Sequence, residues 1–249
     1  MFEQIYLLII SFISNIFSAF SGGGAGVIQL PAILLLFNIT FINALAVHKI
    51  ATIALGIGAT SKFINTITFK KDLLIKLLLA GLPGVFMGAQ LISFTDDQFA
   101  RLLLGILIIS ISLYSYKTKN HGEIEYEYSN TLKNNLTGYS LIFFTGFLNG
   151  SLSAGTGLIF TIILISWYGM DYKKAIAYTL IVVGIFFNAL GAITLGLITE
   201  IEWMLLPALF FGSLMGGYLG AKISLSKSNH TIKIVYQTIT IIIGVSLII

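Results

Sequence analysis

The residues best placed to do chemistry are two glycine runs inside apolar sequence. The first is Gly22-Gly23-Gly24-Ala25-Gly26, and about half the chain later Ala154-Gly155-Thr156-Gly157 echoes it. Each run interrupts a hydrophobic segment and precedes a short apolar piece. Backbone that leaves helical form at membrane depth has to line a cavity or be shielded by protein. The start of the helix that follows presents unpaired N–H groups and a partial positive charge. Glycine lets an anion come close to that backbone. The chemistry this predicts is anion binding, and paired Gly-interrupted segments in two halves of a membrane chain point to a solute site. The candidate contacts are Gly22, Gly23, Gly24, Ala25 and Gly26 from the first run and Gly155, Thr156 and Gly157 from the second. Gln29, Asn149, Ser151 and Ser153 stand close enough in sequence to add side-chain donors. The competing reading is close helix packing, which small residues support in membranes. Consecutive glycines before a short apolar arm make a poor packing ridge, so the site is preferred for these two runs. For Gly81–Gly88 and Gly212–Gly220 packing is preferred.

His48-Lys49 is the second feature. Lys49 falls about two turns into a long apolar segment, and an ionisable group at that depth costs several kcal/mol unless it pairs or reaches the surface. The membrane segments carry no carboxylate to pair with it, and an anionic solute would serve. The alternative is a helix that starts later and a lysine that snorkels to the interface. His48 titrates near neutrality when unperturbed, so it is a candidate proton carrier as well as an ordinary packing residue.

These residues must be positioned by helices in lipid. The chain has 249 residues, 57% of them apolar and 10% charged, with a mean hydropathy of +0.96. Soluble domains carry about 25% charge. Stretches of roughly 20 apolar residues recur, the length that crosses a ~30 Å hydrocarbon layer. There is no cysteine, which excludes disulfides and thiolate metal sites. The net charge of +4 gathers on no extended basic face, which argues against nucleic acid as a partner. The opening Met1-Phe2-Glu3-Gln4 lacks the basic start of a cleaved signal peptide, so the first segment is expected to stay in the bundle.

Apolar pieces are expected over 5–20 and 27–37, then 42–68, 73–93 and 98–116. After a polar linker the pattern restarts over 136–149, continues from the second break to Trp167, and then runs over 172–198, 203–224 and 232 to the end. Residues 1–116 form a first membrane repeat, 117–135 a polar cytoplasmic linker and 136–249 a second repeat. The halves superpose in order: Gly24-Ala25-Gly26 on Gly155-Thr156-Gly157, Gly84 and Gly88 on Gly216 and Gly220 after a one-residue insertion. Such internal repetition is settled before other readings.

Basic residues collect in cytoplasmic loops, and this separates two architectures. If each glycine break interrupts a single crossing, the halves are parallel and lysines fall evenly on both sides. If each break is the tip of a hairpin, the halves are inverted, and every loop lysine falls on one side with Arg101 alone on the other. The expected fold is therefore an all-α polytopic membrane protein of two inverted repeats. Each repeat is a re-entrant or broken-helix hairpin followed by three transmembrane helices, with N- and C-termini outside. The linker, with Glu123, Glu125 and Glu127 alternating with Tyr126 and Tyr128, reads as a solvated loop.

Three function classes compete. A secondary transporter would rock one repeat against the other around the two helix starts. No P-loop is present to supply nucleotide energy, so no cofactor is expected and a proton or sodium ion is the candidate coupling partner. A passive anion channel could use the same hairpins as a filter. An intramembrane hydrolase would need Ser151 or Ser153 as nucleophile and His48 as base.

Taken together, these residues resemble the TauE/SafE family of membrane permeases. The similar features are the glycine-rich break before a short helix with an early proline (Gly22–Gly26, Pro31), its partner Gly155 and Gly157, and the next helix opening Ala46-Val47-His48-Lys49. The last is similar to an Ala-Thr-Asn-Lys pattern in one branch of the family, with His48 in place of the Asn. The second glycine cluster is thinned to Ser153-Ala154-Gly155-Thr156-Gly157. The resemblance spans essentially the whole chain. It implies export of a small anion such as sulfite, a sulfonate or a related organic anion across a cell membrane, a bacterial inner membrane in the family.

Overall fold

The computed structural model describes residues 2–92, 106, 109–110, 113, 121–127 and 131–248. Every element among them is helical. α1 (Phe2–Ser21) and α2 (Ala25–Leu36) form a first pair, followed by α3 (Phe41–Phe63) and α4 (Lys71–Leu91). The expected segment 98–116 lies outside the described residues apart from four isolated positions. The second half begins with α5 (Leu132–Ser151) and α6 (Thr156–Tyr168). α7 (Tyr172–Gly196) contains a π-helical stretch over Leu180–Phe187. α8 (Leu206–Ser226) and α9 (Asn229–Ile248) close the chain. By length and composition five helices can cross a membrane, and α2 and α6 are shorter apolar arms.

Three helix starts at the bundle's ends carry side-chain caps: Thr40 Oγ1 accepts from the Asn43 amide, Thr131 Oγ1 from Asn134, and Asp171 Oδ1 from Lys174 at 2.8 Å. The starts of α4 and α8, after Lys70 and Leu205, carry none. α2 and α6 instead start after left-handed glycines, Gly24 at φ 105° and Gly155 at φ 75°, with no side-chain cap. The Val27 amide donates to the Gly24 carbonyl at 3.1 Å, Thr156 to Ser153 at 3.3 Å and Leu158 to Gly155 at 3.0 Å, which leaves Ala25, Gly26 and Gly157 as the open amides. α3 ends at Phe63 rather than near Thr68, where Asn65, Thr66 and Thr68 offer the backbone side-chain partners that compete with helix.

Loop contacts fix which ends lie together. At one end, Gln4 Nε2 donates to the Met204 carbonyl at 3.2 Å and Thr199 Oγ1 donates to Asn43 Oδ1. The start of α1, the α2–α3 turn and the α7–α8 turn therefore meet there. At the other end, Trp167 Nε1 donates to the Asn134 carbonyl at 2.9 Å, and the Lys70 amide donates to Tyr178 Oη. Lys174 pairs with Glu125 at 3.0 Å, and Lys233 with Glu123 at 3.2 Å. The α3–α4 turn, the linker, the start of α5, the end of α6 and the start of α9 share this end. The α1–α2 hairpin thus opens toward one end of the bundle and the α5–α6 hairpin toward the other. Residues 121–127 are docked rather than free: Tyr126 donates its amide to the Gly169 carbonyl and its hydroxyl to the Ile165 and Ser166 carbonyls.

Glycine ridges hold the hairpins, and they do so crosswise. On α8 a Cβ at Gly212, Gly216 or Gly220 would come within 2.7, 2.4 and 2.3 Å of the Leu8, Phe12 and Ile16 carbonyls of α1. On α4 a Cβ at Gly84 or Gly88 would reach the Phe143 and Phe147 carbonyls of α5 at 2.2 and 2.0 Å. These are the packing glycines expected from sequence. Each half therefore supplies the helix that clasps the other half's hairpin, by close backbone approach of the kind that drives association in lipid.

Candidate functional site

The two hairpin tips touch each other. A Cβ at Gly23 would lie 2.6 Å from the Leu158 amide nitrogen, and one at Gly157 would lie 2.7 Å from the Gly22 carbonyl oxygen. Thr161 Oγ1, one turn into α6, donates to that same Gly22 carbonyl at 3.2 Å and meets Thr179 Oγ1 of α7 at 2.9 Å. The α2 and α6 starts are thus brought side by side, backbone to backbone. Beside them is a cavity of about 30 Å³, room for one or two waters.

Of the residues expected from sequence, Gly22, Gly23, Gly24, Ala25, Gly26, His48, Asn149, Ser153, Thr156 and Gly157 line this cavity. Gln29, Lys49 and Gly155 do not, and Gly155 caps α6 just behind the wall. The opposite wall comes from α7, through Thr179, Leu180, Val183, Gly184 and Asn188 around the π-helical stretch. π segments are frequent at functional sites. None of these α7 residues is among the site residues expected from sequence.

Lys49 is wholly buried in the third turn of α3 and does not snorkel. Its Nζ donates to the Asn149 carbonyl at 2.6 Å, at the C-terminal turn of α5. The same asparagine donates through Nδ2 to Thr156 Oγ1 at 3.0 Å, and Thr156 donates on to the Ser153 carbonyl at 2.7 Å. Lys49 therefore stands one residue behind the cavity wall and braces the second tip. Ser151 turns its hydroxyl back to the Phe147 carbonyl at 3.0 Å.

His48 begins a buried polar chain. Its Nδ1 meets Gln29 Oε1 at 2.5 Å, and Gln29 Nε2 donates to Ser11 Oγ at 2.8 Å. Ser11 donates to the Leu209 carbonyl at 3.0 Å and sits 3.0 Å from Ser213 Oγ, to which Asn15 Nδ2 donates at 3.0 Å. Gln29 thus ties the histidine to the α1–α8 interface. His48 Nε2 points the other way, toward the α2 start, where a Cβ on Gly26 would come within 3.0 Å of it. Among the described residues no group of three or more His, Asp or Glu is placed to hold a metal.

Five helices long and apolar enough to cross a membrane, with two shorter apolar arms meeting beside a small cavity, are the features of a multi-pass helical membrane protein. The chain belongs to the family described as Sulfite exporter TauE/SafE, whose sequence pattern matches residues 7–247. It is 27% identical over 228 residues to a probable membrane transporter protein of Haemophilus influenzae, covering 91% of this chain and 87% of the relative. It is 24% identical to the probable membrane transporter protein YunE of Bacillus subtilis, covering 98% and 97%. It is also 24% identical to the probable membrane transporter protein YfcA of Escherichia coli strain K12, covering 91% and 82%. No solved structure matches the chain.

Proposed function

We propose that this protein is a secondary transporter that exports a small anion, of the sulfite, sulfonate or related organic class, by alternating access. The observation that carries the reading is the pair of uncapped helix starts, α2 and α6, meeting beside a small cavity that both line. Their amides and partial positive charges would hold the anion's oxygens. The sulfur-oxyanion class comes from the family, which a sulfite exporter names.

The halves are proposed to be inverted repeats, with both termini outside and the linker in the cytoplasm. Supporting this, the two hairpins open toward opposite ends, and Lys70, Lys71, Lys76 and Lys174 surround one pocket with linker residues Glu125, Tyr126 and Glu127. Collection of lysines at one end matches the cytoplasmic bias of basic residues. The cavity is too small for an oxyanion with several heavy atoms, so the tips must part to admit it. The α1–α8 and α4–α5 clasps would move as units. Lys49 would set the positive field behind the Asn149 wall, and a gradient would supply the energy.

Reconstituted vesicles test this. The purified protein should give saturable, counterflow-competent flux of one or more of sulfite, methanesulfonate, thiosulfate and sulfate. Absence of flux and of binding for all four would overturn the anion reading. Flux without saturation or counterflow would replace the carrier with a pore.

A further inference from the structure

The cavity holds acceptors as well as donors, and this narrows the solute. The Leu209 carbonyl can only accept, so it takes the single proton of Ser11 Oγ. Ser11 must then accept from Gln29, which places Gln29 Nε2 at Ser11 and Oε1 at His48. His48 Nδ1 therefore carries the proton, and in the neutral ring Nε2 is a bare lone pair. Thr52 Oγ1 stands 3.4 Å from it but already donates to the His48 carbonyl at 2.8 Å. The second acceptor is on the opposite wall. Asn188 Nδ2 donates to the Val183 carbonyl at 2.6 Å, which fixes the amide's orientation and leaves Oδ1 over. Asn188 Oδ1 is buried and has no hydrogen-bond partner.

A fully deprotonated oxyanion satisfies the open amides but sets its own lone pairs against these two acceptors, which a buried site penalises. Resting on the anion reading above, we propose that the site selects an oxyanion that still carries one proton. Its bare oxygens face the α2 and α6 amides, and its O–H donates to His48 Nε2 or Asn188 Oδ1. Each solute then carries a proton through the bilayer without any ionisation of the protein. The polar groups around the ring are Gln29 from α2, Thr52 and Lys49 from α3, Asn149 from α5 and Asn188 from α7. Lys49 alone among these titrates, and no carboxylate lines the cavity among the described residues.

Calorimetric titration of the purified full chain with sulfite and with methanesulfonate, between about pH 6 and about pH 9, tests the proposal; that range spans neutral-pH titrations such as histidine's. Sulfite takes up a proton within this range and methanesulfonate does not. Sulfite affinity should fall about tenfold per pH unit above the solute's own ionisation, as proton linkage requires. Methanesulfonate should bind at least ~10-fold more weakly than sulfite at the acid end, the equivalent of about 1.4 kcal/mol. Asn188→Leu should bring the two solutes closer together. Equal affinity for both, or pH-independent sulfite binding, overturns the proton requirement and leaves the anion reading standing. Methanesulfonate binding that strengthens in acid as steeply as sulfite's would put the proton on the protein, at His48 or Lys49, and overturn it too. If neither solute binds at any pH while the protein stays folded by circular dichroism, the anion reading itself falls, and this inference with it.

Discussion

Lys49 Nζ lies 2.6 Å from the Asn149 carbonyl oxygen, joining α3 of the first half to the last turn of α5 in the second. The final carbonyls of a helix have no partner within it, and a lysine amine is a natural one. The side chain reaches this point only because α7 has a glycine alongside: a Cβ on Gly191 would come within 2.8 Å of Lys49 Cδ. A residue that looked from sequence like a lone charge in lipid is a cross-brace between the halves.

Lys49→Met keeps the aliphatic stem and removes the donor. It should lower stability by about 0.6–2 kcal/mol, the span found for hydrogen bonds between membrane helices, and abolish flux in vesicles while leaving expression intact. Lys49→Arg should not rescue it, because the guanidinium is broader and Gly191 already sits against the stem. Thermal unfolding in detergent and vesicle flux read the two effects separately, and wild-type flux in Lys49→Met would remove the brace from the mechanism.

The hairpin tips give a steric prediction. Gly157→Ala drives a methyl to 2.7 Å from the Gly22 carbonyl, and Gly23→Ala drives one to 2.6 Å from the Leu158 amide. Both neighbours are backbone, so the tips must separate, at about 1–3 kcal/mol for overpacking. Gly196→Ala meets only Ile201 Cδ1 at 3.1 Å, a side-chain end that can turn aside. Flux should be lost in the first two and retained in the third, with helical content by circular dichroism unchanged in all three.

Much of this was legible because glycine clusters and apolar lengths are local signals. The two breaks, the short arms after them and the packing ridges on α4 and α8 can be read one residue at a time. The α7 wall could not, because which side of a helix faces a cavity depends on phase, and the π-helical stretch shifts that phase before Asn188. The partner of Lys49 lies 100 residues away in the other half, beyond any spacing rule. The start of α5 was placed late for a simpler reason. Its first turn, Leu132-Lys133-Asn134-Asn135, is polar enough to pass for linker, yet Thr131 caps it.

The docked linker should loosen in acid. Partial burial tends to raise the Glu123 carboxyl, but hydrogen bonds from His230 and Lys233 outweigh it and hold the group below its usual value. A carboxylate depressed in the folded state stabilises it above the ordinary value near 4.5, and loses that contribution as pH falls through the lower folded value. Hydrogen exchange at residues 121–127 should therefore rise only below about pH 4.5, since carboxylates titrate there. Glu123→Gln should show faster exchange already at neutral pH, with a cost of about 0.2–1 kcal/mol for a part-exposed ion pair. Exchange in the variant that matches wild type at neutral pH would mean that the other contacts, Tyr126 and the Glu125–Lys174 pair among them, hold the segment.

The contact between the tips makes the motion itself testable, and the absence of cysteine from the chain removes background cross-linking. A Cβ on residue 26 would stand 3.2 Å from Ala154 Cα, which brings the two residues within the roughly 4.4–6.8 Å Cα separation of a disulfide. Oxidised Gly26→Cys/Ala154→Cys protein staples one tip to the other across the cavity. Ala19→Cys/Gly220→Cys instead joins α1 to its clasp on α8, where the two Cβ atoms would be 2.9 Å apart before relaxation. If solute enters by parting of the tips, the first staple should stop flux until it is reduced, relative to the same variant kept reduced throughout. The second should leave flux within about twofold of its own reduced form, because α1 and α8 travel together, and a twofold change is only about 0.4 kcal/mol. Continued flux through the oxidised tip staple would show that the solute passes without separating α2 from α6, and the parting of the α1–α8 clasp from the α4–α5 clasp would have to be abandoned.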